Sequence, residues 1–284
     1  MPTLDREEWV EQAYFFRAFR ERLAEEIPAQ EILKDLREEI LATTKLPMAM
    51  DVLRGEVMLK GRLSDGMAHL PHYFTPFQTY VISVADEDRA KLDQFTALEV
   101  LEREAKYRSQ QPTAAGLFIY QFECLARNRL GYDRGMAAIA KDPFYDAAWS
   151  DWILKTRLRL GAHEFADMIY YRSEFFADER RKRTGNPEYR LAAPMLFSHQ
   201  EGRIAKAHRG KDPLYLFAAL QRQLGYPAIP RVARTEDDAK LPPHLEARFQ
   251  RLEKRLGLLE AEQKGKLDLS EFYLKQPPDF RNDE

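Results

Sequence analysis

Cysteine is nearly absent from this chain: Cys124 is the only one among 284 residues. A single thiol excludes an intramolecular disulfide and a cysteine-rich zinc site, and it suits a reducing compartment. Long apolar runs are missing as well. The longest, such as Ala114 to Tyr120, fall far short of the roughly 20 residues a bilayer span needs. The first residues, Met1-Pro2-Thr3-Leu4-Asp5, turn acidic with no apolar core of a secretory signal. A cytoplasmic protein with no membrane partner is expected.

The motifs of common chemistry are missing too. No Walker pattern, Gly-x-Gly-x-x-Gly loop or Gly-x-Ser-x-Gly elbow occurs. No Glu stands three residues before any of the six histidines, and His163-Glu164 has no second histidine to complete a zincin helix. His69 and His72 are three apart, but Pro71 between them disfavours the helix that would align them. The histidines are therefore read as helix caps or backbone partners, and Cys124 as a buried thiol on an apolar helix. The adjacent carboxylate pairs, Glu7-Glu8, Glu25-Glu26, Glu38-Glu39 and Asp237-Asp238, do not face each other on a helix. No catalytic residue, metal or cofactor is expected; the reading leans toward a non-enzyme, with an enzyme whose site is assembled from distant residues as the remaining alternative.

What the chain has in quantity is helical punctuation. Hydrophobic residues make up 44% and aromatics 12%, enough to build a core. Asp5 and Glu8 have capping-box spacing ahead of Trp9, Ala13, Phe16, Leu23 and Ile27. Ile32, Leu33, Leu36, Ile40 and Leu41 form a second stripe after Pro28, and a third helix runs from a break at Thr44–Pro47 to about Lys60. Thr75-Pro76 and Thr113 read as caps, and Gly131 as the glycine closing a helix that ends at Leu130. Asp142-Pro143 reads as a helix start running to Leu160, and a further helix is expected over 162–183. Asp212-Pro213 through Leu214, Phe217, Leu220 and Leu224 to Gly225 combines cap, first-turn proline and closing glycine.

These signals predict a predominantly all-α fold, a bundle or irregular array of about ten helices. The one expected departure is a short β-hairpin near 190–208, with Gln200-Glu201-Gly202 as its turn. Residues 1–225 are read as a helical domain, 226–243 as a proline-rich linker, 244–275 as an amphipathic helix and 276–284 as a disordered tail. Leu245, Phe249, Leu252, Leu256 and Leu259 are spaced 4, 3, 4, 3, an a/d seam of about two heptads and a candidate interaction helix. It suits a protein partner or self-association.

Charge is unevenly spread. Residues 180–211 hold nine Lys or Arg against Glu188 and Glu201, a net +7 in a chain of net −2. A concentrated positive segment attracts anions. The candidate anion-binding residues are Arg180, Arg181, Arg183, Arg203, Lys206, His208, Arg209 and Lys211. The first group sits where cations favour a helix C-terminus. The second lies in an expected glycine-bounded loop, Gly202–Lys211, that feeds the helix at Asp212. Tyr170, Tyr171, Phe175 and Phe176 lie nearby, with helical spacing that core packing explains. The acidic first 40 residues, eleven acids against six bases, are a rival partner for the basic segment. Two functions are carried forward: a non-enzymatic protein-interaction or scaffold module, and an anion- or RNA-binding protein built on 180–211, with phosphate or nucleic acid as ligand.

Overall fold

In the computed structural model, which describes residues 4–87, 92–186, 188 and 190–232, caps and apolar stripes generate a succession of helices. α1 (Arg6–Ala24) buries Trp9, Phe15, Phe16 and Phe19. The capping box expected at its start does not form. Asp5 makes no side-chain cap bond, and Glu8 turns inward, accepting from the Lys45 N–H and the Tyr73 hydroxyl, each at 2.9 Å. The buried Tyr73 hydroxyl and the partly buried Lys45 N–H need an acceptor more than the exposed helix end does. α2 (Ala29–Glu39) and α3 (Leu46–Lys60) pair through Ile32, Leu33 and Leu36 on one side and Met50 and Leu53 on the other. Gly61, at φ +72°, closes α3 in the left-handed region that glycine occupies without strain.

A short α4 (Leu63–Ala68), not foreseen from sequence, precedes α5 (Pro76–Ala85). The Thr75 cap is present and reciprocal: the Gln78 N–H donates to Thr75 Oγ1 at 3.2 Å, and the Thr75 N–H donates to Gln78 Oε1 at 3.0 Å. α6 (Gln94–Arg108) starts at Asp93 and packs along α1. α7 (Ala114–Arg127), capped by Thr113, is buried continuously from Ala115 to Leu125. A helix buried on every side belongs in the middle of a fold. Cys124 lies in it, and burial pushes its thiol well above the ordinary value.

Three expected boundaries are corrected. α7 ends at Arg127, and Gly131 (φ +89°) instead sits at the start of α8 (Tyr132–Ala140). Asp142-Pro143 does not open a helix: α9 (Ala147–Arg159) begins at Asp146, which caps Trp149 N–H at 2.8 Å. The expected helix over 162–183 is two, α10 (Phe165–Tyr170) and α11 (Glu174–Thr184), separated by Ser173. Ser173 Oγ donates to the Tyr170 carbonyl at 2.7 Å and accepts from the Phe176 N–H at 3.3 Å, ending one helix and capping the next.

The hairpin expected near 190–208 is also corrected. Residues 199–207 form α12 (His199–Ala207), and Gln200-Glu201-Gly202 is its first turn. The Glu201 carboxylate accepts from the Ser198 N–H at 2.6 Å. Among the described residues the only β pairings are two isolated bridges, Leu160 with His163 and Ser173 with Phe197. α13 (Pro213–Leu224) has the predicted start and stop: Asp212 caps Leu214 N–H at 2.8 Å and Gly225 closes it at φ +69°.

Thirteen helices are thus described, an all-α arrangement with a continuous core running from Phe15 through α7 to Phe217. One compact unit extends to Val232. The described stretch 226–232 packs on it: the Tyr226 hydroxyl donates to Glu123 at 2.6 Å, and Asn128 Nδ2 donates to the Pro230 carbonyl at 3.0 Å. The expected interaction helix (Leu245, Phe249, Leu252, Leu256, Leu259), the rest of the linker and the tail lie outside the described residues.

One polar cluster is sealed inside. The Arg108 guanidinium serves two buried carboxylates, donating to Glu104 Oε1 through Nε (3.2 Å) and Nη2 (2.9 Å), and to Asp142. Gln121 Nε2 also donates to Glu104 Oε1 at 2.7 Å, while its own carbonyl accepts from the Tyr145 hydroxyl at 2.7 Å. Trp9 lies 4.9 Å from the guanidinium carbon. Glu104 Oε2 has no hydrogen-bond partner. Burial, only partly offset by Arg108, raises the Glu104 pKa. Burial opposes the charge of Arg108, but Asp142 and Glu104 outweigh it and hold its pKa above the usual arginine value. Among the described residues, no helix is long and apolar enough to cross a membrane.

Candidate functional site

The basic segment is folded around α10, α11 and α12. α12 packs on both α10 and α11. Gly202 permits the close approach: a Cβ there would overlap Ser173 Oγ and Cβ and stand 2.8 Å from the Phe175 Cβ. α11 itself buries only Ala177, and its Phe176, Glu179, Arg180, Lys182 and Arg183 line the groove between the helices. The groove opens into a cleft of about 680 Å³.

Aromatic rings make one part of its lining. Tyr170 is buried, Phe176 half-buried, and Tyr171 46% exposed. Phe176 meets both tyrosines edge to face and the two tyrosines are tilted by 52°, with all centroids 5.1 to 5.2 Å apart. Cations make the rest: Arg180, Lys182 and Arg183 from α11, Lys206 from α12 and Arg209 from the turn after it. Glu179 is the single acid in the lining.

These cations fall into two groups. Lys206 and Arg209 are neutralised within the protein. Lys206 Nζ pairs with Glu179 Oε1, whose other oxygen accepts from the Tyr170 hydroxyl at 2.6 Å. The bond from Lys206, then that from Tyr170, holds the Glu179 carboxyl below the ordinary glutamate value. Burial, with that same carboxylate, pushes the Tyr170 hydroxyl up to about 12. Arg209 pairs with Asp167, donates to the Tyr171 hydroxyl at 3.1 Å and lies over the Tyr170 ring at 5.1 Å. Arg180, Lys182 and Arg183 form no ion pair with an acid among the described residues, although the charge of Lys182 is felt at Glu179. Arg180 lies over the Phe176 ring, its guanidinium carbon 5.2 Å from the centroid, a cation–π contact that consumes none of its N–H groups in an ion pair.

The other predicted residues stand apart. Arg181 pairs with Asp178 at 2.7 Å. Arg203 and Lys211 are exposed outside the cleft lining. His208 caps the end of α12, its Nδ1 2.8 Å from the Ile204 carbonyl oxygen. The expected anion loop over Gly202–Lys211 is largely helix, and its backbone anion-binding positions at Gly210 and the start of α13 are already occupied by carboxylates. The Gly210 N–H donates to Glu164 Oε2 at 2.8 Å, and the start of α13 carries the Asp212 carboxylate. The acidic N-terminal helix is engaged elsewhere: Glu8 with Lys45 and Tyr73, and Glu11 with the Leu41 N–H at 3.3 Å. The acids that partly neutralise the basic segment are Asp167, Asp178 and Glu179.

Sequence reasoning missed the roles of Lys182, Asp167 and Glu179, and read Tyr170, Tyr171 and Phe176 as core. The spacing Tyr170-x8-Glu179 crosses the break at Ser173 and has no local signature. Ser173 itself, a capping residue ahead of Glu174, was the available sign that the helix is interrupted. Among the described residues no group of three or more His, Cys, Asp or Glu is placed to hold a metal ion. The chain matches no known protein family, no curated protein and no solved structure.

Proposed function

We propose that this chain is a helical binding protein whose α10–α12 cleft takes up an anionic ligand. One observation carries the reading: Arg180, Lys182 and Arg183 line one cleft without an ion-pair partner among the described residues, while every other cation in its lining is ion-paired. Like charges held together on a surface raise its free energy and draw anions to it. The two arginines supply forked donors suited to phosphate or carboxylate, and Lys182 adds a point charge. The cleft's volume is that of a small-molecule site, so a compact anion is favoured over an extended nucleic-acid strand.

The test is calorimetric titration of sodium pyrophosphate into the protein at low and moderate salt. Wild type binds, more weakly as salt screens the charges. Arg180→Ala/Arg183→Ala loses at least about tenfold in affinity, the cost of charge-assisted hydrogen bonds at about 1.5–3 kcal/mol each. Equal affinity in the double variant would remove the proposal.

A second reading, a protein-interaction module, is favoured by the outer face of α3. Met48, Val52 and Leu59 form a stripe at 69%, 39% and 80% exposure, with Met58 beside it at 66%. Exposed apolar patches of this kind mark interaction surfaces. Light scattering of wild type against Met48→Lys/Leu59→Lys tests it: an assembly that dissociates in the variant supports it, and a monomer in both removes it.

A further inference from the structure

The composition of the cleft narrows the class of anion. Its lining carries five cations, and Glu179 and Asp167 match two of them, which leaves three positive charges. A singly charged carboxylate would leave most of that unbalanced. A phosphate monoester carries about −1.5 to −2 at neutral pH, and a diphosphate more. Size gives a second constraint. At about 680 Å³ the cleft lies in the range of small-molecule sites and has room for more than a bare phosphate ion. That room, beside the cations, can take an organic part of the ligand. The surface offered to that part is aromatic: Tyr171 is nearly half exposed and braced by Phe176 and Tyr170. Its hydroxyl is engaged by Arg209, whose guanidinium carbon also lies 5.6 Å from the ring centroid, so what Tyr171 offers a ligand is the remaining surface of its ring. Such a surface accepts a flat heterocycle without reading its hydrogen-bonding edge.

We infer that the cleft binds a nucleotide-like ligand, a flat aromatic ring bearing two or more phosphoryl charges, with the phosphates on Arg180, Lys182 and Arg183 and the ring on Tyr171. This rests on the anion-binding reading above. Arg180 is preorganised for it by its seat on Phe176, so little side-chain freedom is lost on binding. Glu179 acts against it, holding Lys206 back from the ligand as an internal counter-ion.

Titration of ADP, AMP, adenosine and inorganic pyrophosphate into the full chain separates the two claims. The order expected is ADP tightest, AMP and pyrophosphate each about tenfold weaker, and adenosine weakest of all. Tyr171→Leu should lower ADP affinity about tenfold and leave pyrophosphate unchanged, while Tyr171→Phe, which keeps the ring, should bind ADP as wild type does. Glu179→Gln should tighten both phosphates by a few-fold. If pyrophosphate binds as tightly as ADP and Tyr171→Leu changes neither, the nucleotide inference fails and the anion cleft stands. If no phosphate binds, or Arg180→Ala/Arg183→Ala binds as wild type does, both fail. Adenosine binding as tightly as ADP would overturn the assignment of the phosphates to the three cations.

Discussion

Replacing Arg108 by methionine keeps the bulk of the side chain and removes the one cation that two buried carboxylates share. Glu104 and Asp142 would lose three hydrogen bonds between them, and Trp9 the charge beneath its ring. Removing one partner from a buried ion pair costs about 3–5 kcal/mol, because the group left behind stays charged in a low-dielectric site. Against a whole-domain stability of about 5–15 kcal/mol, that is a large fraction. With an m-value of about 3 kcal/mol/M, the urea midpoint should fall by roughly 1–1.7 M at pH 7. The assay is urea unfolding followed by circular dichroism and tryptophan fluorescence, whose transitions must coincide for the analysis to hold. The deficit must also depend on pH. Glu104 is already raised by burial, and loss of Arg108 removes the main force opposing that shift. A carboxyl whose folded pKa is raised contributes stability fully present below its unfolded pKa and lost as pH rises through the folded one. The variant's deficit should therefore shrink as pH falls from 7 toward 4.5. Adding Glu104→Gln and Asp142→Asn should recover much of the loss at pH 7. A cost below about 1 kcal/mol, or a deficit of the same size at both pH values, would refute the network's charged character.

Other outcomes follow from single contacts. Gly202→Ala should destabilise by about 1–3 kcal/mol, because its methyl has no room against Ser173 and Phe175. Gly55→Ala, in the interior of α3 with nothing within 4 Å, should instead stabilise by about 0.5–1 kcal/mol; thermal melts of the two side by side check both signs. Cys124 should react with a thiol reagent at neutral pH only after denaturation, since it is buried and burial keeps its thiol protonated; rapid labelling of the native protein would contradict the central placement of α7.

What could be read from sequence was whatever is encoded within a turn or two of chain. Thr75-Pro76 with Gln78, and Asp212-Pro213 with Gly225, carry cap and stop in neighbouring residues, and both helices stand where expected. Ser198 and Glu201 have the same capping spacing, yet Pro194 and the weak stripe around them suggested extended chain, and the local cap prevailed. Asp5 and Glu8 show the reverse: the spacing is right, but Tyr73, 65 residues on, claims the carboxylate. The cleft divides the same way. Its cations were visible as a count along the chain. Which of them are neutralised depends on Glu179 meeting Lys206 and Asp167 meeting Arg209, contacts across separate helices with no sequence pattern.

The central claim is that the three unpaired cations of α11 make a specific site rather than a generally attractive surface. The direct test compares pyrophosphate affinity in Arg180→Ala/Arg183→Ala with that in Lys34→Ala/Arg62→Ala, which removes two exposed charges from α2 and the start of α4, outside the cleft. Net charge changes equally in the two. The account predicts that the first loses at least about tenfold while the second stays within about twofold of wild type. Equal losses in both would contradict it.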